Sequence, residues 1–188
     1  LVDDHREVEP LALHLPEQAD RAYQDALREA PEDFGVIVHA ADFYRRADRF
    51  DEAKRWHERL LDPALAVPAD TSAQARRHLA ELLGRRGATT QATALLDENR
   101  NNQADTLAKQ FPLHDTKVLD IGCGGGLFLS LLKQKGAQVV GIELSDSRAQ
   151  YAKTKHALEI DKHPIESEHW QKGYANHFDA VTLWDVIE

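Results

Sequence analysis

"VLDIGCGGG", residues 118–126, carries four glycines within five positions, directly after a short apolar run that begins at Val118. A short apolar run bounded by glycines is typical of a buried strand that ends in a tight turn. Glycine suits such a turn because the backbone must bend sharply and because no Cβ then obstructs an approaching ligand. The stretch therefore predicts a strand followed by a ligand-binding turn.

The segments after this stretch continue an alternating pattern of strands and helices. "GLFLSLLKQKG" predicts a helix that ends at Gly136, and "AQVVGIEL" predicts a second buried strand. A helix over "DSRAQYAKTKHAL", capped by Ser145 or Asp146, and a further strand over "FDAVTLWDVI" follow. In such a parallel sheet the ligand binds beyond the carboxyl ends of the strands. The expected fold class of residues 101–188 is α/β, with a Rossmann-like parallel sheet.

The spacing of the glycines distinguishes two classes of cofactor. The dinucleotide fingerprint G-x-G-x-x-G, started at Gly122, requires a glycine at position 127, which is leucine here. The glycines at 122, 124 and 126 instead follow Asp120 at the end of the predicted strand. A carboxylate there attracts a ligand with an ammonium group and repels a pyrophosphate.

Two of these features resemble motifs of the class I S-adenosylmethionine-dependent methyltransferases. The first family motif, D/E-x-G-x-G-x-G, is matched by Asp120, Gly122, Gly124 and Gly126. Glu143, at the end of the second predicted strand, occupies the family's position for an acidic residue that holds both ribose hydroxyls. One carboxylate with two oxygens can accept hydrogen bonds from both hydroxyls. The resemblance implies S-adenosyl-L-methionine as cofactor.

A third segment extends the resemblance to residues 115–188. "HFDAVTLWDVIE", residues 177–188, is similar to the family's fourth motif, which borders the methionine end of the cofactor. The adenine contact is expected after a third strand near "KHPIESEHW", where Glu166 or Ser167 follows Pro164. The further cofactor contacts implied by the resemblance are Leu144, Glu166, Trp184 and Asp185.

Catalytic and metal-binding residues are not assigned by the sequence. Asp185 and Glu188 are the nearest candidates for a general base, and each has a competing structural role. His163, His169 and Glu166 share one segment, but nothing in the sequence fixes them on one face. We expect a solvated loop there and no metal site.

Residues 1–100 differ in composition from the rest of the chain. They contain 13 Arg and one Lys, whereas residues 101–188 contain one Arg and eight Lys, which predicts two domains with these bounds. "PEQADRAYQDALREAP" at 16–31 and "FDEAKRWHERLLDP" at 50–63 superpose at a shift of 34 residues, the tetratricopeptide period. The first domain therefore resembles an all-α tetratricopeptide array of about two and a half repeats; an unrelated helical bundle is the alternative.

Two connecting segments are also predicted. "DPALAVPADTS" contains two prolines and predicts a long surface loop before the third repeat. The polar stretch "DENRNNQAD", followed by a short helix around "TLAKQF", is expected to lead into the second domain.

Composition restricts the partners and the location. The formal net charge of -9 argues against sequence-independent binding to nucleic acid and against binding to anionic lipid. The single cysteine, Cys123, excludes an intramolecular disulfide, and no apolar run approaches the length of a membrane span. We expect a cytoplasmic protein. The chain begins at Leu1, lacks methionine and contains four of the family's seven strands, so we expect an incomplete methyltransferase domain.

The resemblance implies a function with two alternatives. It implies methyl transfer to a small-molecule, sugar or lipid-linked acceptor, with the helical repeats binding a protein partner or mediating self-association. One alternative is an interaction scaffold with a non-catalytic methyltransferase-like domain. The other is a methyltransferase that acts on a protein.

Overall fold

A computed structural model of the chain describes residues 15–184. The chain divides into two compact units, residues 1–96 and 97–188. Each unit contains hydrophobic clusters formed by its own residues. In the part of the chain that the structure describes, no helix has both the length and the apolar character needed to cross a membrane.

The first unit is helical. Its helices are α1 (Leu15–Glu29), α2 (Phe34–Arg46), α3 (Phe50–Arg59), α4 (Ala69–Arg85) and the start of α5 (Thr89–Gln110). Helix α2 begins after Asp33, whose carboxylate accepts hydrogen bonds from the backbone N–H groups of Gly35 and Val36. Ala41 of α2 and Ala53 of α3 are fully buried, and such small side chains allow two helices to approach closely.

The structure corrects two predictions about the segments around these helices. A connecting segment precedes α4, as predicted, but it is shorter than 62–72, because it contains a short 3-10 helix, Pro63–Leu65, and α4 already begins at Ala69. The predicted polar connector and separate short helix are one continuous helix, α5, from Thr89 to Gln110. No glycine or proline lies within this range, so nothing in the backbone interrupts helical hydrogen bonding.

The second unit is built on a parallel sheet, as the sequence predicts. Its strands are β1 (Lys117–Ile121), β2 (Gln138–Ile142), β3 (Glu159–Asp161) and β4 (Ala180–Leu183), in the order β3-β2-β1-β4. Helices α6 (Leu127–Gln134), α7 (Asp146–His156) and α8 (Glu168–Gly173) connect them. The register places Asp120 of β1 beside Gly141 of β2 and Thr182 of β4.

The core of this unit explains why its strongest sequence signals are correct. Val118 of β1 and Leu129 and Leu132 of α6 are fully buried. Gly136 adopts a φ of 96°, a left-handed conformation that glycine tolerates, where the chain leaves α6 for β2. Apolar runs in the sequence thus predict the strands and helices that form the core, and glycines predict where these elements end.

The third strand lies elsewhere than predicted. β3 ends at Asp161, before Pro164, and the segment 162–173 forms a loop and α8. The pairing of β3 with β2 fixes its position, with Gly141 opposite Ile160, the one buried residue of the strand. A strand of three residues with one buried side chain carries too weak a pattern to be recognised in the sequence.

Candidate cofactor-binding site

The glycine turn, residues 122–126, leaves β1 at the carboxyl edge of the sheet. Gly122, Gly124 and Gly126 all have left-handed φ angles, of 73°, 57° and 79°. A Cβ on Gly126 would lie 2.5 Å from Leu158 Cδ1 and 2.9 Å from Ala152 Cβ, whereas a Cβ on Gly124 would meet open space. Gly126 therefore allows tight packing, while Gly124 leaves room above the turn.

Glu143 fastens the glycine turn to the end of β2. Its side chain is buried, and its Oε2 accepts a hydrogen bond of 2.9 Å from the backbone N–H of Gly124. Its Oε1 accepts a hydrogen bond of 2.8 Å from the backbone N–H of Ser145. Because each carboxylate oxygen has two lone pairs, both oxygens retain capacity for a ligand hydroxyl. The sequence predicts Glu143 in the site but gives no signal for its contact with the turn.

Asp120 is a buried carboxyl group below the turn. It is 3% exposed, and the hydroxyl of Thr182 donates a 2.7 Å hydrogen bond to its Oδ1. Burial raises the pKa of Asp120 to about 6, although the hydrogen bond from Thr182 and the charge of Arg100 act in the opposite direction. A cation near the turn would stabilise the charged form. Thr182 was not predicted, because only the sheet register brings it to Asp120.

Cys123 fills the space beneath the turn. A Cβ on Gly141 would lie 2.5 Å from its sulfur, so the thiol packs directly over β2. Burial, followed by the charges of Asp120 and Glu143, raises the pKa of the Cys123 thiol to about 12. A thiol that stays protonated is a poor nucleophile, so Cys123 serves as a small packing residue.

Exposed apolar side chains stand next to the turn. Leu144 directly follows Glu143 and is 60% exposed. Tyr151 of α7 is 53% exposed, and a Cβ on Gly125 would lie 3.4 Å from its ring. Leu144 was predicted from the sequence, whereas Tyr151 was not, since one exposed aromatic residue in a helix carries no signal of its own.

The remaining predicted residues have different surroundings. Trp184 packs edge-on against Phe128 with ring centroids 5.7 Å apart, and its buried indole N–H has no hydrogen-bond partner within residues 15–184. Glu166 is exposed in the loop that follows β3 and does not stand directly at the strand end. Asp161 ends that strand instead. Whether Glu166 touches the cofactor stays a prediction, and Asp185 and Glu188 lie outside the described residues.

The parallel sheet and the motifs at its carboxyl edge define a class I S-adenosylmethionine-dependent methyltransferase domain. Residues 44–188 match a family model described as a methyltransferase domain, and this match covers more than three quarters of the chain. The chain therefore belongs to that methyltransferase family, whose cofactor is S-adenosylmethionine.

Several curated proteins are similar to parts of the chain. A ubiquinone biosynthesis O-methyltransferase of Aromatoleum aromaticum is 33% identical over 112 residues, which are 57% of this chain and 47% of that protein. Its counterpart in Stutzerimonas stutzeri is 37% identical over 75 residues, covering 38% of this chain and 32% of that protein. The matches thus span less than half of the length of these relatives.

Solved structures are also similar to the chain. The magnesium protoporphyrin IX methyltransferase of Synechocystis PCC 6803, crystallised with bound SAH, is 18% identical. The match has a TM-score of 0.42 and covers 80% of this chain and 58% of that one.

Proposed function

We propose that this protein transfers the methyl group of S-adenosylmethionine to a small-molecule, sugar or lipid-linked acceptor. The observation that carries the proposal is the glycine turn flanked by two buried acids, Asp120 of β1 and Glu143 directly after the adjacent parallel strand β2, of which Glu143 binds the turn. The relatives support a small acceptor, since two of them are named ubiquinone biosynthesis O-methyltransferases.

Each acid suits a different end of the cofactor. Burial disfavours the charged form of Asp120, so the ammonium group of the methionine end would compensate this carboxylate. Glu143 retains a lone pair on each oxygen for the two ribose hydroxyls. Leu144 and Tyr151 offer exposed apolar surface for the adenine. The resemblance implies that Trp184 and Asp185 border the methionine end of the cofactor.

The chemistry required of the protein is modest. S-adenosylmethionine supplies a methyl group on a sulfonium, which is already a good electrophile. The chain's own residues bind and orient the cofactor, and the enzyme must align the acceptor and exclude water. A hydroxyl acceptor also needs a base to take its proton, and none of the residues 15–184 is assigned that role.

Calorimetry with S-adenosylmethionine, S-adenosylhomocysteine and NAD tests the cofactor assignment. We expect micromolar binding of the two sulfur ligands and none of NAD. Glu143→Gln and Asp120→Asn each remove a charged partner and should weaken binding by about ten- to a hundredfold. Glu159→Gln is the matched control, because Glu159 is an exposed acid at the amino end of β3, away from the carboxyl edge of the sheet where the cofactor is expected.

The outcomes separate the alternatives. Binding of NAD alone, or equal affinity in all variants, would contradict the proposed site. Methyl-transfer assays with phenolic, sugar and lipid-linked hydroxyl compounds then test the acceptor class. Intact cofactor binding without transfer to any small molecule would favour a protein acceptor or an interaction scaffold.

For the helical part we propose a separate module of tetratricopeptide-like repeats over residues 1–100, which binds a protein partner or mediates self-association. The buried Ala41 and Ala53, at the pattern's small-residue positions, support it. A cavity of about 350 Å³ between α2, α3 and α4 offers a docking surface. Light scattering of the full chain at several concentrations distinguishes self-association of the repeats from binding to a different protein.

A cytoplasmic location is part of the proposed function and is supported by the unpaired Cys123.

A further inference from the structure

The loop after β3 brings together three metal-ligating side chains that the sequence leaves apart. His163 Nδ1 lies 2.7 Å from Asp161 Oδ1, and His169 Nε2 lies 2.9 Å from Asp161 Oδ2. Each of the three residues offers one ligand atom, and these atoms all lie within 4.8 Å of one another. The two imidazole rings are stacked, with centroids 4.5 Å apart. One carboxylate thus holds two histidines on the same side.

Buried contacts hold this cluster in place. Trp170 of α8 is 5% exposed, and its indole N–H donates a 3.1 Å hydrogen bond to the carbonyl oxygen of His163. His169 packs edge-on against Trp170, with ring centroids 5.4 Å apart. The carboxylate of Asp161 also accepts a 2.6 Å hydrogen bond from the backbone N–H of His163, which fixes the turn. The ligand atoms are therefore positioned by the core and by the sheet.

The geometry points to a site for a divalent transition metal, with Zn²⁺ as the reference ion, bound by Asp161, His163 and His169. Two imidazole nitrogens and one carboxylate oxygen form a donor set that suits zinc and its neighbours better than magnesium or calcium. Three protein ligands leave a further position open to water. The exposed fractions of the His163 and His169 side chains, 60% and 39%, allow that access.

The observed distances between the three ligand atoms are close to those required around a zinc ion. Ligand atoms at about 2.0–2.2 Å from a tetrahedral zinc ion are about 3.4 Å from each other. His163 Nδ1 and Asp161 Oδ1, 2.7 Å apart, need to separate by about 0.7 Å to reach this spacing, and no two of the three ligand atoms, which lie within 4.8 Å of one another, need to approach by more than about 1.4 Å. Both histidine rings are exposed enough to turn. The nearby cation, Lys162, pairs with Asp146 of α7 and does not occupy the site.

Such a metal would sit beside the proposed cofactor site without being part of it. The carbonyl oxygen of Asp161 accepts a 3.1 Å hydrogen bond from the backbone N–H of Glu143. A bound ion would thus join α8 and its loop to the segment that carries Glu143. Metal binding itself depends on neither the cofactor nor methyl transfer.

Zinc titration of the tag-free, metal-stripped full chain at pH 7.5 tests the site. We expect one Zn²⁺ per chain, with affinity reduced by about tenfold or more in His163→Ala and in His169→Ala. Both side chains are exposed, so the variants should fold, which circular dichroism checks. His114→Ala and Glu166→Gln, an exposed histidine and an exposed acid of the same unit, should bind zinc like the unaltered chain.

Cobalt gives a second readout that does not depend on affinity alone. Co²⁺ in the unaltered chain should show the strong visible absorption of a four- or five-coordinate ion, and the double variant His163→Ala/His169→Ala should lack it. Zinc binding that is absent in the unaltered chain, or equal in the double variant, would overturn the assignment. A cobalt spectrum like that of the hydrated ion would do the same.

Discussion

At the scale of single residues, the proposed site depends on carboxylates that serve both the fold and a ligand. Glu143 accepts backbone hydrogen bonds from Gly124 and Ser145, so it shapes the turn before any ligand arrives. Asp120 has the opposite character, because burial makes its charge costly in the absence of a cation. Retaining a costly charge is typical of a group that has a ligand to bind.

The raised pKa of Asp120 predicts how cofactor binding depends on pH. Its pKa of about 6 means that the carboxyl is charged at pH 7.5 and largely protonated at pH 5. Since only the charged form attracts an ammonium group, affinity for S-adenosylmethionine should fall as pH drops through about 6. The limiting slope is about tenfold per pH unit. Calorimetry between pH 5 and pH 8 measures it.

Asp120→Asn serves as the control for this prediction. Its binding should be weaker at pH 7.5 and nearly independent of pH over the same range. The variant should also raise the free energy of unfolding of the cofactor-free chain at neutral pH. A carboxyl whose pKa is raised by folding stabilises the protein only when protonated, and that contribution is lost as pH rises through about 6. An unchanged pH dependence of binding in Asp120→Asn would show that another group titrates.

At the scale of elements, the glycine turn requires a small residue in the neighbouring strand. A Cβ on Gly141 of β2 would lie 2.5 Å from Cys123 Sγ and 2.8 Å from both Leu129 Cδ1 and Ile160 Cδ1. These atoms belong to the turn, α6 and β3, which all pack on the same point of β2. Gly141 thus sets the separation between the strand and its three neighbours.

Gly141→Ala should therefore destabilise the second unit. The added methyl group forces buried atoms apart, and overpacking of this kind costs about 1–3 kcal/mol. Denaturant unfolding measures the change in the free energy of unfolding. Gly173→Ala is the matched control in the same unit, since a Cβ there meets nothing within 4 Å. Equal stability of the two variants would mean that the packing around Gly141 relaxes freely.

Helices α3 and α4 enclose a second unusual group, His57. It is 3% exposed, and neither ring nitrogen has a hydrogen-bond partner within the described part of the chain. Burial, followed by the charges of His78 and Arg45, lowers the pKa of His57 to about 4, although Asp42 acts in the opposite direction. Folding therefore keeps this imidazole neutral where an unfolded chain would protonate it.

This shift predicts loss of stability in mild acid. Between pH 6.5 and pH 4 the unfolded chain protonates His57 and the folded chain does not, so the contribution of His57 to the free energy of unfolding falls as pH decreases. A pKa of 6.5 in the unfolded chain and of about 4 in the folded chain corresponds to a change of up to about 3 kcal/mol in the free energy of unfolding. Chemical denaturation at a series of pH values in this window measures it. His57→Leu should flatten the slope, whereas His39→Leu, at an exposed position, should keep it.

At the scale of the whole molecule, the family match and the two compact units have different limits. The match begins at residue 44, within α2, whereas the second unit begins at residue 97. The methyltransferase motifs recognised in the sequence lie only in residues 118–188, because strands and glycine turns carry stronger patterns than helices do. The helical repeats therefore remain a proposal, while the α/β half is established by both sequence and structure.

The elements that the sequence predicts well are those with local signals. β1, β2, α6 and α7 combine apolar patterns with glycine breaks or capping residues. The sequence misplaces β3 because its single buried residue gives no pattern, and it predicts a connector within α5 because that part of the helix is polar. Both errors have the same cause, because the burial of β3 and of α5 depends on elements that are distant in the sequence.

The sequence by itself determined the parallel sheet, the glycine turn, the acids Asp120 and Glu143, and with them the class of protein. Only the tertiary structure decided which groups these residues meet. Gly124 and Glu143 are 19 positions apart and Asp120 and Thr182 are 62 apart, and sheet register brings each pair together. His163 and His169 converge on Asp161 because the buried Trp170 anchors their loop. Local patterns show what kind of backbone and charge a segment has, whereas such contacts depend on the packing of elements distant in the chain.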